Sequence, residues 1–294
     1  MPRARLTAGN YAFGLLAVPV GLALYSSCRV FHLTLSGSAK RPKRRRAERW
    51  SLYACRLLLR TLLRCSFWLS IEDEPTEAEW DALIPADRPC IVIINHCSQF
   101  DGFFFGAMAS RRVMGRARSL MIAKAFRMPL AGAIFAYLGH QPVHFLKDDE
   151  GKFSVDKAKQ APVNEIIAKH VSQDAGILTF CPEGQINRKD PTQAMPHRRG
   201  SFQLAIDHRL PIYGFTAFGT HHFWPADCAI AGKRATICCG LYAVSEWNDK
   251  LDAAGDDNLD ATTTADLALM SQAAMQKSLD AVSARHAALT ARTS

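Results

Sequence analysis

The chain has 294 residues, of which 48% are hydrophobic and 21% charged, with a formal net charge of +9. That length holds one large domain with appendages or two small ones, and the composition excludes wholesale disorder. The charge is local: residues 40–64 carry ten Lys/Arg against one acid, Glu48, so the remainder is formally neutral. An anionic partner is expected there, either nucleic acid or an acidic membrane surface.

Arg3 and Arg5 precede an uncharged stretch at 6–28, which is 23 residues. Crossing a bilayer takes about 20 apolar residues, so the stretch is read as a membrane anchor. Asn10, Gly9, Gly14, Gly21 and Pro19 interrupt it, leaving a full span and a kinked or re-entrant segment both open. It is too long for the apolar core of a cleaved signal peptide. The basic run at 40–46 follows closely. Beside an apolar segment it reads as cytoplasmic retention and contact with anionic lipid, and on its own it would read as a nucleic-acid patch. Over 50–71 the spacing predicts a helix, with Arg56, Arg60 and Arg64 forming one basic stripe among leucines and aromatics. Such a helix fits a membrane interface, the alternative being a core helix whose arginines reach out to water.

The acidic residues at 72–77 mark a boundary. Membrane-anchoring helices with a basic linker are expected over 1–71, an α/β domain over 72–245, and an acidic loop and helix over 246–294. Within the middle region, apolar β-branched runs predict strands at 90–94, 121–123, 142–146, 176–180, 210–218 and 235–242. Helical patterns fall at 102–110, 129–138, 155–171 and 201–208. This alternation is that of an α/β fold. Asp249, Asp252, Asp256, Asp257 and Asp260 form the acidic loop. Thr262, Thr263 and Thr264 can then cap a helix over 265–291 with a packing face of Leu267, Met270, Ala274, Met275 and Val282.

Two stretches carry chemistry. Asn95-His96-Cys97-Ser98-Gln99-Phe100-Asp101 follows the strand at 90–94, where α/β sheets place reactive groups. Histidine accepts a proton near neutral pH, and a carboxylate on its second nitrogen can orient it. On spacing alone, a catalytic pair and a hydrogen-bonded turn are both open. The second stretch, Phe180-Cys181-Pro182-Glu183-Gly184, follows the strand at 176–180. The nine cysteines include no Cys-x-x-Cys pair, which speaks against a zinc ribbon or disulfide framework and for a reducing compartment. His140 with His144, and His221 with His222, lack carboxylate or cysteine partners at ligand spacing, so no metal site is expected.

Read together, the Asn-His-x4-Asp and Pro-Glu-Gly stretches resemble the glycerolipid acyltransferase family, which includes the 1-acylglycerol-3-phosphate acyltransferases. The segment Ala123-Lys124-x4-Pro129-x2-Gly132, the region 139–147, the Arg199-Gly200-Ser201-Phe202 link and Leu210-Pro211-Ile212-Tyr213 add to the likeness, which covers about 85–220. The resemblance implies a mixed α/β sheet flanked by helices and preceded by N-terminal membrane helices. It implies acyl transfer from acyl-CoA, as co-substrate and without a cofactor, to a lysophospholipid. Lysophosphatidic acid is the leading acceptor, with a head-grouped lysolipid or glycerol 3-phosphate as alternatives and a non-catalytic lipid-binding relative as a further one. By the family's scheme His96 is the general base and Asp101 orients it, while Cys97 is a bystander. Asn95, Lys124, Glu183, Gly184, Arg188 and Pro211 are expected around the substrates, with Lys124 and Arg188 on the phosphate. The partners implied are acyl-CoA, the lysophospholipid and an anionic membrane surface rather than nucleic acid. The location implied is a membrane with the catalytic region facing the cytoplasm: the endoplasmic reticulum in a eukaryote, the inner membrane in a bacterium. The sequence departs from the family at two places. Lys147 stands near an expected arginine, and Gln185-Ile186 replaces the Thr-Arg that follows Pro-Glu-Gly, with Arg188 two residues on.

Overall fold

A computed structural model describes residues 6–35, 41–147, 153–253 and 262–293. The chain opens with two long helices, α1 (Ala8–Leu35) and α2 (Arg41–Cys65), and α1 continues through Pro19. The polypeptide then enters a sheet at β1 (Leu69–Glu72). The helix expected over 50–71 therefore starts earlier and stops sooner, and β1 straddles the boundary expected at residue 71. Thr76 and Glu79 close a capping box on α3 (Glu77–Leu83), which leads to β2 (Cys90–Ile94), buried along its whole length.

There follow α4 (Asp101–Met108), α5 (Arg111–Met114), β3 (Ala117–Ile122), a 3-10 turn at Ala123–Arg127 and α6 (Ala131–Tyr137). Next come β4 (Gln141–Val143), β5 (Phe145–Lys147), β6 (Phe153–Val155), α7 (Lys157–Asp174) and β7 (Ile177–Phe180). A 3-10 turn at Arg199–Phe202 runs into α8 (Gln203–Asp207), and β8 (Ile212–Phe218) and α9 (Thr220–Phe223) come after it. The described chain finishes with β9 (Ala235–Ala243), α10 (Ser245–Ala253) and α11 (Thr264–Thr293). Asp256, Asp257 and Asp260 of the expected acidic loop lie outside the described residues.

The strands form a seven-stranded mixed sheet in the order β1-β9-β8-β2-β7-β3-β4. The β8–β9 pair is antiparallel and the other neighbouring pairs are parallel. The strand expected at 142–146 divides in two. β4 lies on the sheet edge, where Pro142 loses no ladder hydrogen bond, while β5 turns away to pair with β6. Helices cover both faces. Leu24 of α1 and Leu52, Leu62 and Leu63 of α2 share a core with Val92, Phe104 and Phe215. On the other face, Leu267 and Met275 of α11 pack with Ile91, Ile93, Ile167 and Leu178.

α1 is docked at both ends. Asn10 Nδ2 donates to the Ile230 and Ala231 carbonyls at 2.8 and 3.0 Å. The backbones meet so closely there that a Cβ on Gly9 would lie 2.3 Å from the Gly232 carbonyl oxygen. At the far end His32 Nε2 lies 2.9 Å from the Tyr137 carbonyl oxygen. Its outer side leaves Tyr11, Leu15, Val18, Leu22 and Leu33 exposed, and Leu57 and Phe67 in and just after α2 are exposed as well.

The arginine stripe on α2 points elsewhere than the sequence suggests. Arg56 donates to the Ala109 carbonyl and pairs with Glu77, while Arg60 donates to the Ala107 carbonyl and pairs with Glu74. The last carbonyls of a helix lack intrahelical partners, and two of the three arginines satisfy them at the end of α4. Arg64 alone of the three is exposed.

Candidate active site

The parallel register builds the site. Ile93 stands opposite Phe180, and Ile94 opposite Phe215. The loops leaving β2, β7 and β8 therefore emerge side by side at the carboxyl edge of the sheet, where α/β folds bind ligands. Those loops carry His96, Glu183 and Thr220 respectively.

Asp101 opens α4, where the helix dipole favours a carboxylate, and it is fully buried. Its Oδ2 lies 3.1 Å from His96 Nδ1 and accepts the Cys97 and Ser98 amides at 2.8 and 2.7 Å. Its Oδ1 accepts the Thr220 hydroxyl at 2.6 Å. Four donors thus converge on one carboxylate, which fixes the ring of His96 with Nδ1 inward. Only 24% of the His96 side chain is exposed, which leaves one edge open to a substrate. Asn95 supports the loop from below: its amide side chain both donates to and accepts from the Ala217 backbone of β8, at 2.9 and 2.8 Å. The His96 carbonyl accepts the Asn187 amide at 2.6 Å.

Pro182 and Glu183 sit at the centre of a tight turn closed by the Gly184 amide on the Cys181 carbonyl at 3.1 Å. Gly184 has φ +68°, a conformation that glycine adopts without steric cost. Glu183 Oε1 accepts the His96 backbone amide at 2.9 Å, so the two signature stretches are joined by a direct hydrogen bond. Its Oε2 is buried without a hydrogen bond of its own. Burial raises the Glu183 carboxyl to about 7.

For His96, burial disfavours the charged ring, but this is outweighed by Cys181 and by the hydrogen bond and charge of Asp101, which together raise it to about 11. Cys181, half-buried beside the ring, is a site residue that the sequence reading passed over. Cys97 faces the opposite way, 3.1 Å from Thr220 Oγ1 and buried. Burial pushes its thiol well above the ordinary range, which makes it a poor nucleophile.

Asn95, His96, Asp101, Glu183 and Gly184 come together as expected. Lys124 and Arg188 are exposed, and among the described residues neither hydrogen-bonds to His96, Asp101 or Glu183. Pro211 is placed elsewhere. Its carbonyl accepts the Ile91 amide at 2.9 Å, which puts it at the amino end of β8. Asn95, just past the end of β2, is four residues beyond Ile91, so at about 3.3 Å per residue Pro211 stands roughly 13 Å from the catalytic edge. A late proline strand is recognisable in the sequence, but only the register shows which end of it faces the site. Among the described residues, no group of three or more His, Cys, Asp or Glu could hold a metal ion.

A mixed sheet thus carries a carboxylate-held histidine and a strand-end glutamate at its carboxyl edge, an arrangement able to take a proton from a bound hydroxyl. The family model described as Acyltransferase matches residues 77–217. Curated 1-acyl-sn-glycerol-3-phosphate acyltransferases from Limnanthes alba and Limnanthes douglasii are each 28% identical over 137 residues, 47% of this chain. The match spans 43% of the length of each of those relatives. The crystal structure of the 1-acyl-sn-glycerophosphate (LPA) acyltransferase PlsC from Thermotoga maritima shares the fold, with a TM-score of 0.55 at 12% identity. That match covers 92% of this chain and 98% of the other. The likenesses point the same way: residues 77–217 match the acyltransferase model, and the curated relatives and the solved structure are 1-acylglycerol-3-phosphate acyltransferases.

Proposed function

We propose that the protein transfers an acyl chain from acyl-CoA to the free hydroxyl of 1-acyl-sn-glycerol 3-phosphate, giving phosphatidic acid. The observation that carries this reading is the His96–Asp101 pair, whose carboxylate also accepts the Cys97 and Ser98 amides and the Thr220 hydroxyl, and which is tied through the His96 backbone to Glu183. The neutral ring takes the proton of the acceptor hydroxyl, whose oxygen attacks the thioester carbonyl. The tetrahedral intermediate collapses with loss of the CoA thiolate, and the proton on His96 passes to that sulfur. No covalent enzyme intermediate is needed. Asp101 stabilises the imidazolium that forms, and Asn95 and Glu183 hold the loop in place. General-base catalysis contributes typically 10²–10⁴-fold and positioning adds to it.

Both substrates are amphiphiles. In this reading the enzyme works at a membrane, with the exposed apolar side of α1 and residues Leu57 and Phe67 against lipid, and the site on the cytoplasmic side, where acyl-CoA is found. α1 is long and apolar enough to cross a bilayer by length and composition. Its attachment to the domain at both ends favours a helix lying on the surface.

The replacement of Thr-Arg by Gln185-Ile186 supports a second reading, in which the acceptor is a lysophospholipid bearing a head group. The test is CoA release by detergent-purified protein with lysophosphatidic acid, head-grouped lysophospholipids and glycerol 3-phosphate. Release that is highest with lysophosphatidic acid and drops at least a hundredfold in His96→Ala is expected. No release with any acceptor would remove the proposal.

A further inference from the structure

The arginine that stands second after Pro-Glu-Gly in the family pattern is replaced here by Ile186, yet a guanidinium lies across the same turn. Arg198 donates its backbone amide to the Pro182 carbonyl at 2.8 Å and its Nε to the Glu183 carbonyl at 3.4 Å. Its guanidinium carbon sits 5.9 Å from the centre of the Phe145 ring. Gly184 makes the approach possible, because a Cβ at that position would lie 2.1 Å from Arg198 Nε.

The side chain is half-buried, and among the described residues it has no carboxylate partner and no acceptor on either Nη. Among the described residues, other arginines set into the fold meet a carboxylate or several carbonyls, although Arg112 keeps one buried Nη1 without a partner. Arg118 pairs with Glu48 at 2.9 Å, Arg112 pairs with Asp81 at 2.9 Å, and Arg116 donates to the carbonyls of Pro85, Arg88 and Ala175. A guanidinium pinned on one side by a carbonyl, backed by an aromatic ring and open on its forked end is built to receive a planar or tetrahedral anion.

We propose that Arg198 binds the phosphate of the acceptor and is the specificity-determining cation of this site, in place of Lys124 and Arg188. This rests on the acyltransferase reading above, and it names the side chain that reading lacks. Arg198 hangs on the turn of Glu183, whose carboxylate holds the His96 amide. A phosphate on its fork is therefore fixed relative to His96 through two short links, which sets the distance from the acceptor's phosphate to its hydroxyl.

The experiment compares wild type, Arg198→Gln and Arg198→Lys in detergent, with lysophosphatidic acid and with monoacylglycerol, which lacks the phosphate. Loss of the fork should raise KM for lysophosphatidic acid by ten- to a hundredfold and leave KM for acyl-CoA within about twofold. Preference over monoacylglycerol should collapse, and Arg198→Lys should recover part of it. Calorimetric binding of lysophosphatidic acid micelles without acyl-CoA gives a readout independent of turnover. Binding by wild type that is lost in Arg198→Gln supports the assignment even if no acceptor releases CoA, a result that would sink only the reaction. Equal binding by both proteins, or none by wild type, overturns the assignment. So does an equal loss toward both acceptors, which would mark Arg198 as a prop for the turn.

Discussion

Replacing Asp101 by asparagine tests the central pair most directly, because the local hydrogen bonds dictate how the new side chain sits. The Cys97 and Ser98 amides and His96 Nδ1 all converge on Oδ2, so the amide oxygen of asparagine must stay there. Its nitrogen then faces Thr220 Oγ1, which can turn from donor to acceptor. The protein should fold, at a cost of about 1–3 kcal/mol for weakened bonds to a buried group. What is lost is charge. At 3.1 Å and an effective dielectric of about 20, a carboxylate and an imidazolium attract by about 5 kcal/mol. The amide dipole returns part of this, leaving a deficit of roughly 3 kcal/mol when the proton arrives on His96, or about a hundredfold in rate. The assay is initial-rate CoA release across pH, with thermal unfolding measured alongside. Activity should rise with pH as His96 becomes neutral. Asp101→Asn should lower kcat about a hundredfold and move the acid limb to lower pH, because one cause of the raised ring pKa is gone. A folded Asp101→Asn protein that keeps more than a third of wild-type kcat, with an unshifted limb, would refute the reasoning.

Three further outcomes follow from the same geometry. Glu183 is raised to about 7 from an ordinary 4.5, so the folded state holds its proton longer than the unfolded chain does. Its contribution to stability is complete below about 4.5 and fades as pH rises through 7, by up to roughly 3 kcal/mol. Wild-type Tm should fall between pH 5 and 8, and Glu183→Gln should flatten that slope; parallel slopes would contradict the assignment. Cys97→Ala should leave kcat within about threefold while losing stability, and a thirtyfold drop in a folded protein would make Cys97 a participant. Phe13 packs edge-on against Phe100 and Phe223 with centroids 6.3 and 5.1 Å away. Phe13→Ala should destabilise the protein by about 3–5 kcal/mol; a Tm unchanged within a degree would show that α1 is not docked there.

Much of the sheet was legible because its central strands are buried on both faces and read as apolar runs, unbroken at Cys90–Ile94 and interrupted only by Thr179 at Ile177–Phe180. His96 and Glu183 were legible because each stands shortly after such a run, and Asp101 through its spacing from His96. Thr220 was not. It reaches Asp101 from 119 residues away, and nothing local distinguishes it from any threonine after a strand. The Arg56–Arg60 stripe misled for a related reason. Periodicity tells which residues share a helix face, but not that Glu74, Glu77 and two helix-end carbonyls will meet that face. Pro211 failed through register, since a strand's sequence does not say which of its ends lies beside His96.

With Arg198 in its proposed role, the chain departs from the family pattern at residue 186 and still has a cation on the Pro-Glu-Gly turn. Glu183 and Arg198 meet at one turn: the first reaches the His96 amide through a side-chain oxygen, and the second, from a separate segment, donates to the turn's own carbonyls. A cation delivered by the segment returning at 198 reaches this turn as directly as one delivered at 186, provided residue 184 has no Cβ to block it. Gly184 meets both demands, since its φ is positive and the space beside it is filled by Arg198. With Arg198 in its proposed role, the glycine of Pro-Glu-Gly is tied to the choice of cation, and a side chain there would displace the guanidinium even if the turn survived.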